Sequence, residues 1–172
     1  MNPVRAYDYL LKARGRLFDW IRPLTQEQYT LEFPFGHHTL RATMLEIAGA
    51  EWIYARRLAE EPVPPRAEWP VGEQRQPAFA DLETFWTEQA ERTRAVLAGV
   101  SDWDRPVEYR VRQPEKTIVV RATLGDIATQ LCFHEVHHRA QAMAMLRQLG
   151  VAAQNLDYSV FMFHRREEPA GS

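Results

Sequence analysis

Residues 133–141 read Phe-His-Glu-Val-His-His-Arg-Ala-Gln, which gathers His134, Glu135, His137 and His138 into five positions. Imidazole is the commonest metal ligand and the side chain that most readily moves protons near neutral pH. Which of these jobs the segment can do depends on which side chains face the same way. His134 and His138 stand four apart, so on a helix they share a face one turn apart. There they can present nitrogens to one divalent ion. His137 and Glu135 fall to either side of that line. His137 is therefore expected behind the site or at the surface, and Glu135 is expected as a hydrogen-bond partner.

The line continues in both directions. Leu124, Ile127, Leu131, His134, His138, Gln141 and Met145 recur at offsets of three and four, which marks one inward face. Burying two imidazoles costs free energy unless each nitrogen finds a partner. Hydrogen bonds to polar neighbours would serve, but a pair on one helical face favours a metal, because helical cores are where such sites are built. A divalent ion needs at least one more ligand. Glu51 lies near the centre of the apolar stripe of an earlier helix and Glu46 lies on its shoulder, so periodicity prefers Glu51. The alternative for either is an ion pair with an arginine such as Arg57, Arg139 or Arg147. His37 and His38, just before that helix, are further candidates, but both sit in a loop start and are expected to be exposed, and His164 is a weaker candidate still. His134-Glu135-x-x-His138 also spells the zinc-protease string. With three fixed positions, and only His164, Glu167 and Glu168 left downstream as a third ligand, that match carries little weight.

Four long helices are expected to position these residues. Asn2-Pro3 is a helix start, with Asn as cap and Pro where its missing N–H costs nothing. Tyr7, Leu10, Leu11, Leu17, Phe18 and Ile21 then keep helical spacing to about residue 21. Thr25 to Gln28 spells a capping box for a short turn. A second long helix runs from Thr39 to about Glu61 along Leu40, Met44, Ile47, Tyr54 and Leu58. Five prolines between 62 and 77 make the next stretch a loop. A third helix spans about Ala80 to Leu97, with Leu82, Phe85, Trp86, Gln89, Thr93 and Val96 inward. Residues 105–121 alternate in polarity about Gln113-Pro114-Glu115-Lys116 and read as a hairpin. The last long helix runs from the Thr123-x-x-Asp126 capping signal to Gly150, and residues 156–163 form a final short helix before a loose tail, EEPAGS. The expectation is one all-α domain over residues 1–172, a four-helix bundle with a small β-hairpin before the last long helix.

Bulk properties narrow the function. Apolar residues make up 45% of the 172 and charged residues 26%, the balance of an ordinary globular protein. A net charge of −2 with scattered basic residues gives no footprint for nucleic acid. No apolar run approaches the roughly 18 residues of a membrane span. The lone Cys132 excludes an internal disulfide framework, and the N-terminus lacks a secretion signal, so a cytoplasmic protein is expected.

Two blocks carry a resemblance. Thr123-Leu-Gly-Asp126, His134-Glu-Val-His-His-Arg-Ala-Gln141 and Met145-Leu-Arg-Gln-Leu-Gly150 are similar to the last-helix pattern of the DinB-like family, small four-helix-bundle proteins regarded as metalloenzymes. Leu40-Arg-Ala-Thr-Met-Leu-Glu-Ile-Ala-Gly-Ala-Glu51-Trp-Ile-Tyr54 resembles that family's second helix. By position, the resemblance implies a metal triad of Glu46, His134 and His138, with Glu46 standing where relatives keep a histidine. Glu51 matches a downstream family glutamate and becomes a partner behind the ligands or the alternative ligand. Two imidazoles and a carboxylate suit Zn²⁺, Ni²⁺, Mn²⁺ or Fe²⁺. The resemblance implies a metal-dependent hydrolase or a transferase of a low-molecular-weight thiol, acting on a small molecule, with Glu51 or His137 as proton acceptor. The other expectation is a non-catalytic, stress-related bundle whose metal is structural or lost. A homodimer, joined through exposed aromatics such as Trp52, Trp69 and Trp103, is expected as well.

Overall fold

The computed structural model describes residues 2–72 and 75–166. Helix α1 spans Pro3–Ile21; the Asn2 side chain accepts from the backbone N–H of Arg5, and Pro3 opens the first turn. Helix α2, Gln26–Tyr29, carries the full capping box of Thr25 and Gln28. Helix α3 spans Leu40–Leu58, with Thr39 capping the N–H of Ala42. It ends earlier than periodicity suggests, because Glu60 turns into the left-handed region (φ 56°) before Pro62. After a single 3₁₀ turn at Arg66–Glu68, helix α4 runs over Phe79–Gly99.

Strands β1 (Pro106–Arg112) and β2 (Thr117–Thr123) form the antiparallel hairpin, with Tyr109 opposite Val120 and Val107 opposite Ala122. Those four side chains are half-buried while their neighbours in β1 are exposed, which is the alternation of a strand with one covered face. β2 reaches two residues beyond the expected hairpin and ends on Thr123. Thr123 is also the N-cap of helix α5, Leu124–Gln148, and shares a reciprocal capping box with Asp126. Strand and helix therefore meet without a linker, and the hairpin is held at the start of α5. Gly150 (φ 83°) takes the left-handed conformation after the helix, where only glycine pays no Cβ penalty. Helix α6, Tyr158–Met162, returns to pack on α1.

The chain is thus mostly helical with one small two-stranded sheet. α1 and α3 each pack against both α4 and α5. Trp86, Tyr7, Leu10, Leu17, Ile21, Leu40, Met44, Ile47, Leu82, Leu124, Met145 and Leu146 are the largest fully buried side chains. They come from all four long helices, which share one core. Each such side chain contributes about 1.5–3 kcal/mol relative to exposure. Among the described residues no helix is long and apolar enough to cross a membrane. The tail EEPAGS lies outside the described residues.

The tryptophans expected at the surface are covered to different degrees. Trp52 is 9% exposed beneath the Arg56 guanidinium, and Trp69 and Trp103 are half-buried. The large apolar side chains that do face solvent include Phe133 and Phe163, each 62% exposed.

Candidate metal centre

Three segments meet at the site: the turn before α3, the first half of α3, and the middle of α5. The turn is built by its backbone. Gly36 and His38 adopt φ of 59° and 62°, Phe33 N–H donates to His38 O, and His38 Nδ1 lies 3.1 Å from Phe33 O. Those bonds hold His38 outward and turn His37 back over α5, with its ring centroid 4.7 Å from that of His138. A side chain at Gly36 would place its Cβ 3.0 Å from Gln141 Oε1, so the turn lies close against α5, and its left-handed φ favours glycine there.

On α5 the His134 and His138 rings are 4.4 Å apart, nearly edge to face. His134 Nε2 lies 3.4 Å from Glu46 Oε1 across the α3–α5 interface. His37, Glu46 and His138 each offer one ligand atom, all within 4.8 Å of one another, and all three are half-buried. Among the described residues Glu46 pairs with His134 and with no arginine, so its carboxylate is not committed to a salt bridge of the ordinary kind. Its partnership with His134, helped by the nearby His37 and His138, holds the Glu46 carboxyl below its usual range. Burial pushes His138 down, favouring the neutral imidazole that metals require.

Gln141 orients the pair from behind. Its Oε1 lies 2.9 Å from His138 Nδ1 and its Nε2 lies 3.2 Å from His137 Nε2. With Nδ1–H donating to Gln141, His138 has Nε2 left to bind. His137 is exposed, as its offset from the line implied.

A cavity of about 340 Å³ opens over this cluster. His37, Glu46 and His134 line one end, while Tyr54, Arg57 and Trp69 wall the rest. Small α3 residues, Ala42, Gly49 and Ala50, leave the space, and the Pro-rich loop closes over it through Trp69, Val71 and Gly72. The open space explains why His134 and His138 are half-buried where periodicity put them in the core. The fully buried line of α5 runs instead from Leu131 through Glu135, Arg139 and Ala142 to Leu146.

Glu51, preferred by periodicity, belongs to a different cluster. Arg14 of α1 donates to Glu51 Oε2 and to Glu135 Oε2, both at 2.5 Å, and Glu51 also accepts from Tyr7, Trp86 and Thr93. All of these groups are buried. The arginine expected for Glu51 is thus Arg14, not Arg57, Arg139 or Arg147, and Glu135 is a hydrogen-bond partner as its position implied. His38 is exposed, and His164 lies at the exposed end of the chain after α6. His37, a further candidate ligand expected to be exposed, is instead half-buried within the cluster. The Phe-Gly-His-His run before a Thr cap signals a turn, but nothing in its spacing tells towards which helix it bends.

A mostly helical chain that brings three histidines and a carboxylate to the mouth of an inter-helix cavity has the donor set of a metal-binding protein. It belongs to the DinB family, whose family model matches residues 1–169. Protein DinB of Bacillus subtilis (strain 168) is 23% identical over 170 residues, covering 96% of each chain.

Proposed function

We propose that the protein is a metal-dependent enzyme, a four-helix bundle of one domain in which Glu46, His134 and His138 hold a divalent ion. Its reaction is a hydrolysis or the transfer of a low-molecular-weight thiol. The observation that carries this reading is the convergence of imidazoles on one carboxylate that no arginine pairs with. Glu46 stands within ligand range of His37 and His138 and beside His134, free of arginine, at the end of a cavity large enough for a small molecule. The residues present fit the ion. Imidazole nitrogens and a carboxylate suit Zn²⁺, Ni²⁺, Mn²⁺ or Fe²⁺, and the Gln141 bond fixes the His138 tautomer that binds.

Such an ion supplies Lewis acidity, lowering the pKa of a bound water or thiol so that it is a nucleophile near neutral pH. The chain supplies the rest. Trp69, Val71 and Tyr54 narrow the cavity and limit water, and the side of α3 from Glu46 to Arg57 lays out the substrate. Neither of the expected proton acceptors lines this cavity, since Glu51 is bound to Arg14 and His137 faces solvent. His37 does line it, and takes the proton when it is not itself a ligand.

One observation favours the second reading, a non-catalytic bundle that has lost its metal: the direct His134–Glu46 contact gives each group a partner without an ion. Elemental analysis separates the two. The purified protein is incubated with Zn²⁺, Ni²⁺, Mn²⁺ or anaerobic Fe²⁺, dialysed and assayed for bound metal. The proposal expects near-stoichiometric binding, lost in Glu46→Gln, His134→Ala and His138→Ala and kept in Glu51→Gln. No bound metal, or metal kept without Glu46 and lost without Glu51, overturns it. A screen of thiol conjugation and ester hydrolysis on the loaded protein then assigns the reaction.

A further inference from the structure

The cavity continues beyond the metal cluster along α3 to a cation. Arg57 lies eleven residues after Glu46, about three helical turns, so the two share a face roughly 16 Å apart along the axis. Both side chains lean towards the N-terminus, and the longer arginine reaches further, which brings its guanidinium back over the Tyr54 turn and leaves the two charged heads on the order of 13 Å apart. Both residues line the same cavity, with Gly49, Ala50 and Ile53 as its floor between them.

The guanidinium is held in place without being neutralised. It sits 4.1 Å over the Tyr109 ring of β1 and 5.6 Å over Tyr54, whose own ring meets that of His134 edge-on at 6.0 Å. Among the described residues it makes no ion pair, and its Nε is buried without a hydrogen-bond acceptor. A guanidinium that lines a cavity without a counter-charge has its outer edge available to an anionic acceptor from outside the chain. Aromatic faces pre-orient a guanidinium while leaving its edge free for a planar anion, the geometry of carboxylate recognition.

We propose that the groove selects a small two-ended ligand, with a metal-binding group at the Glu46–histidine end and a carboxylate at Arg57, about 1 nm apart. This rests on the metal reading above, and the hairpin that carries Tyr109 acts as a specificity element for that reaction.

The test uses Co²⁺-loaded protein, whose absorption spectrum reports both the ion and any thiolate bound to it. Four probes are titrated: 3-mercaptopropionate and 6-mercaptohexanoate, each beside its neutral alcohol, 3-mercapto-1-propanol and 6-mercapto-1-hexanol. The longer acid spans the groove and is expected to bind at least about tenfold more tightly than its alcohol, as a charge-assisted contact provides. The shorter acid does not reach and is expected to show a ratio near one. Arg57→Met abolishes the preference at the longer length without changing the Co²⁺ spectrum recorded before thiol is added. Arg57→Lys, the milder variant, keeps a reduced preference. An acid-to-alcohol ratio near one at the longer length, or a full preference surviving in either variant, overturns the inference while the metal reading stands. A protein that takes up no Co²⁺ sinks both.

Discussion

Two polar clusters bridge the same pair of helices and meet opposite fates. In the closed one, Glu51 of α3 and Glu135 of α5 share the Arg14 guanidinium, with Tyr7, Trp86 and Thr93 completing the hydrogen bonds, and all are buried. In the open one, Glu46 of α3 and His134 of α5 meet beside His37 and His138, half-buried at a cavity. His134 and Glu135 are neighbours in sequence, yet the roughly 100° turn per helical residue sends them to different clusters. The difference lies in what faces them. An arginine from α1 bridges the first two carboxylates, and Tyr7, Trp86 and Thr93 occupy Glu51 further, whereas the second carboxylate meets only imidazoles and keeps lone pairs to give. A glutamate on an apolar stripe is thus ambiguous until its counter-charge is known. In this protein the more deeply buried glutamate is the structural one.

The largest effect should come from breaking the closed cluster. Arg14→Met leaves two carboxylates buried without their shared cation, and losing one member of such a network costs about 3–5 kcal/mol. Urea denaturation of the metal-free protein should show that loss, and adding Glu51→Gln with Glu135→Gln should recover much of it. A loss under about 1 kcal/mol would mean that the carboxyls are already protonated or hydrated, and the contrast between the clusters would fail.

What could be read beforehand follows from the range of the interactions. Caps are local, and Asn2-Pro3, the Thr123–Asp126 box and Gly150 sit where the sequence signalled them. Periodicity put His134 and His138 on one line of the last long helix. It misjudged their burial because the empty space opposite is made by Ala42, Gly49 and Ala50 of another helix. The role of Arg14 has no local signal, since its partners lie 37 and 121 residues away. The inward direction of His37 was hidden for a different reason. Its direction is set by two left-handed backbone angles, at Gly36 and His38, and propensity does not specify where such a turn points.

A middle-sized effect should appear at Gln141, which touches the open cluster only from behind. Gln141→Ala removes the acceptor of His138 Nδ1–H and frees the ring to rotate or change tautomer. Loss of such a support typically weakens metal binding by about 10–100-fold. Competition with a chromophoric chelator would measure this, while the unfolding midpoint of the metal-free protein should move little. Unchanged affinity would show that packing against His37 and His134, not the amide, holds the ring.

The smallest effect separates the two clusters by the sign of their pH dependence. In the metal-free protein His138 is pushed by burial below its ordinary 6.5, and Glu46 is drawn below its ordinary 4.5 by His134. For both, the unfolded chain takes up protons first, so stability present above those ordinary values is lost as pH falls through them. Glu135 behaves oppositely. Burial raises its carboxyl above 4.5 against the pull of Arg14, so its contribution is fully present below 4.5 and is lost as pH rises through the folded value. Chemical denaturation from pH 7 downwards should therefore show the open cluster losing stability first, starting near 6.5. His138→Gln should flatten that first part of the acid limb, and Glu46→Gln the part below 4.5. Glu135→Gln should leave the start of the limb unchanged and steepen the descent towards 4.5. If His138→Gln and Glu135→Gln shifted the profile in the same direction, the two carboxylate–cation arrangements would not be chemically distinct, and the open cluster would be a second structural pair.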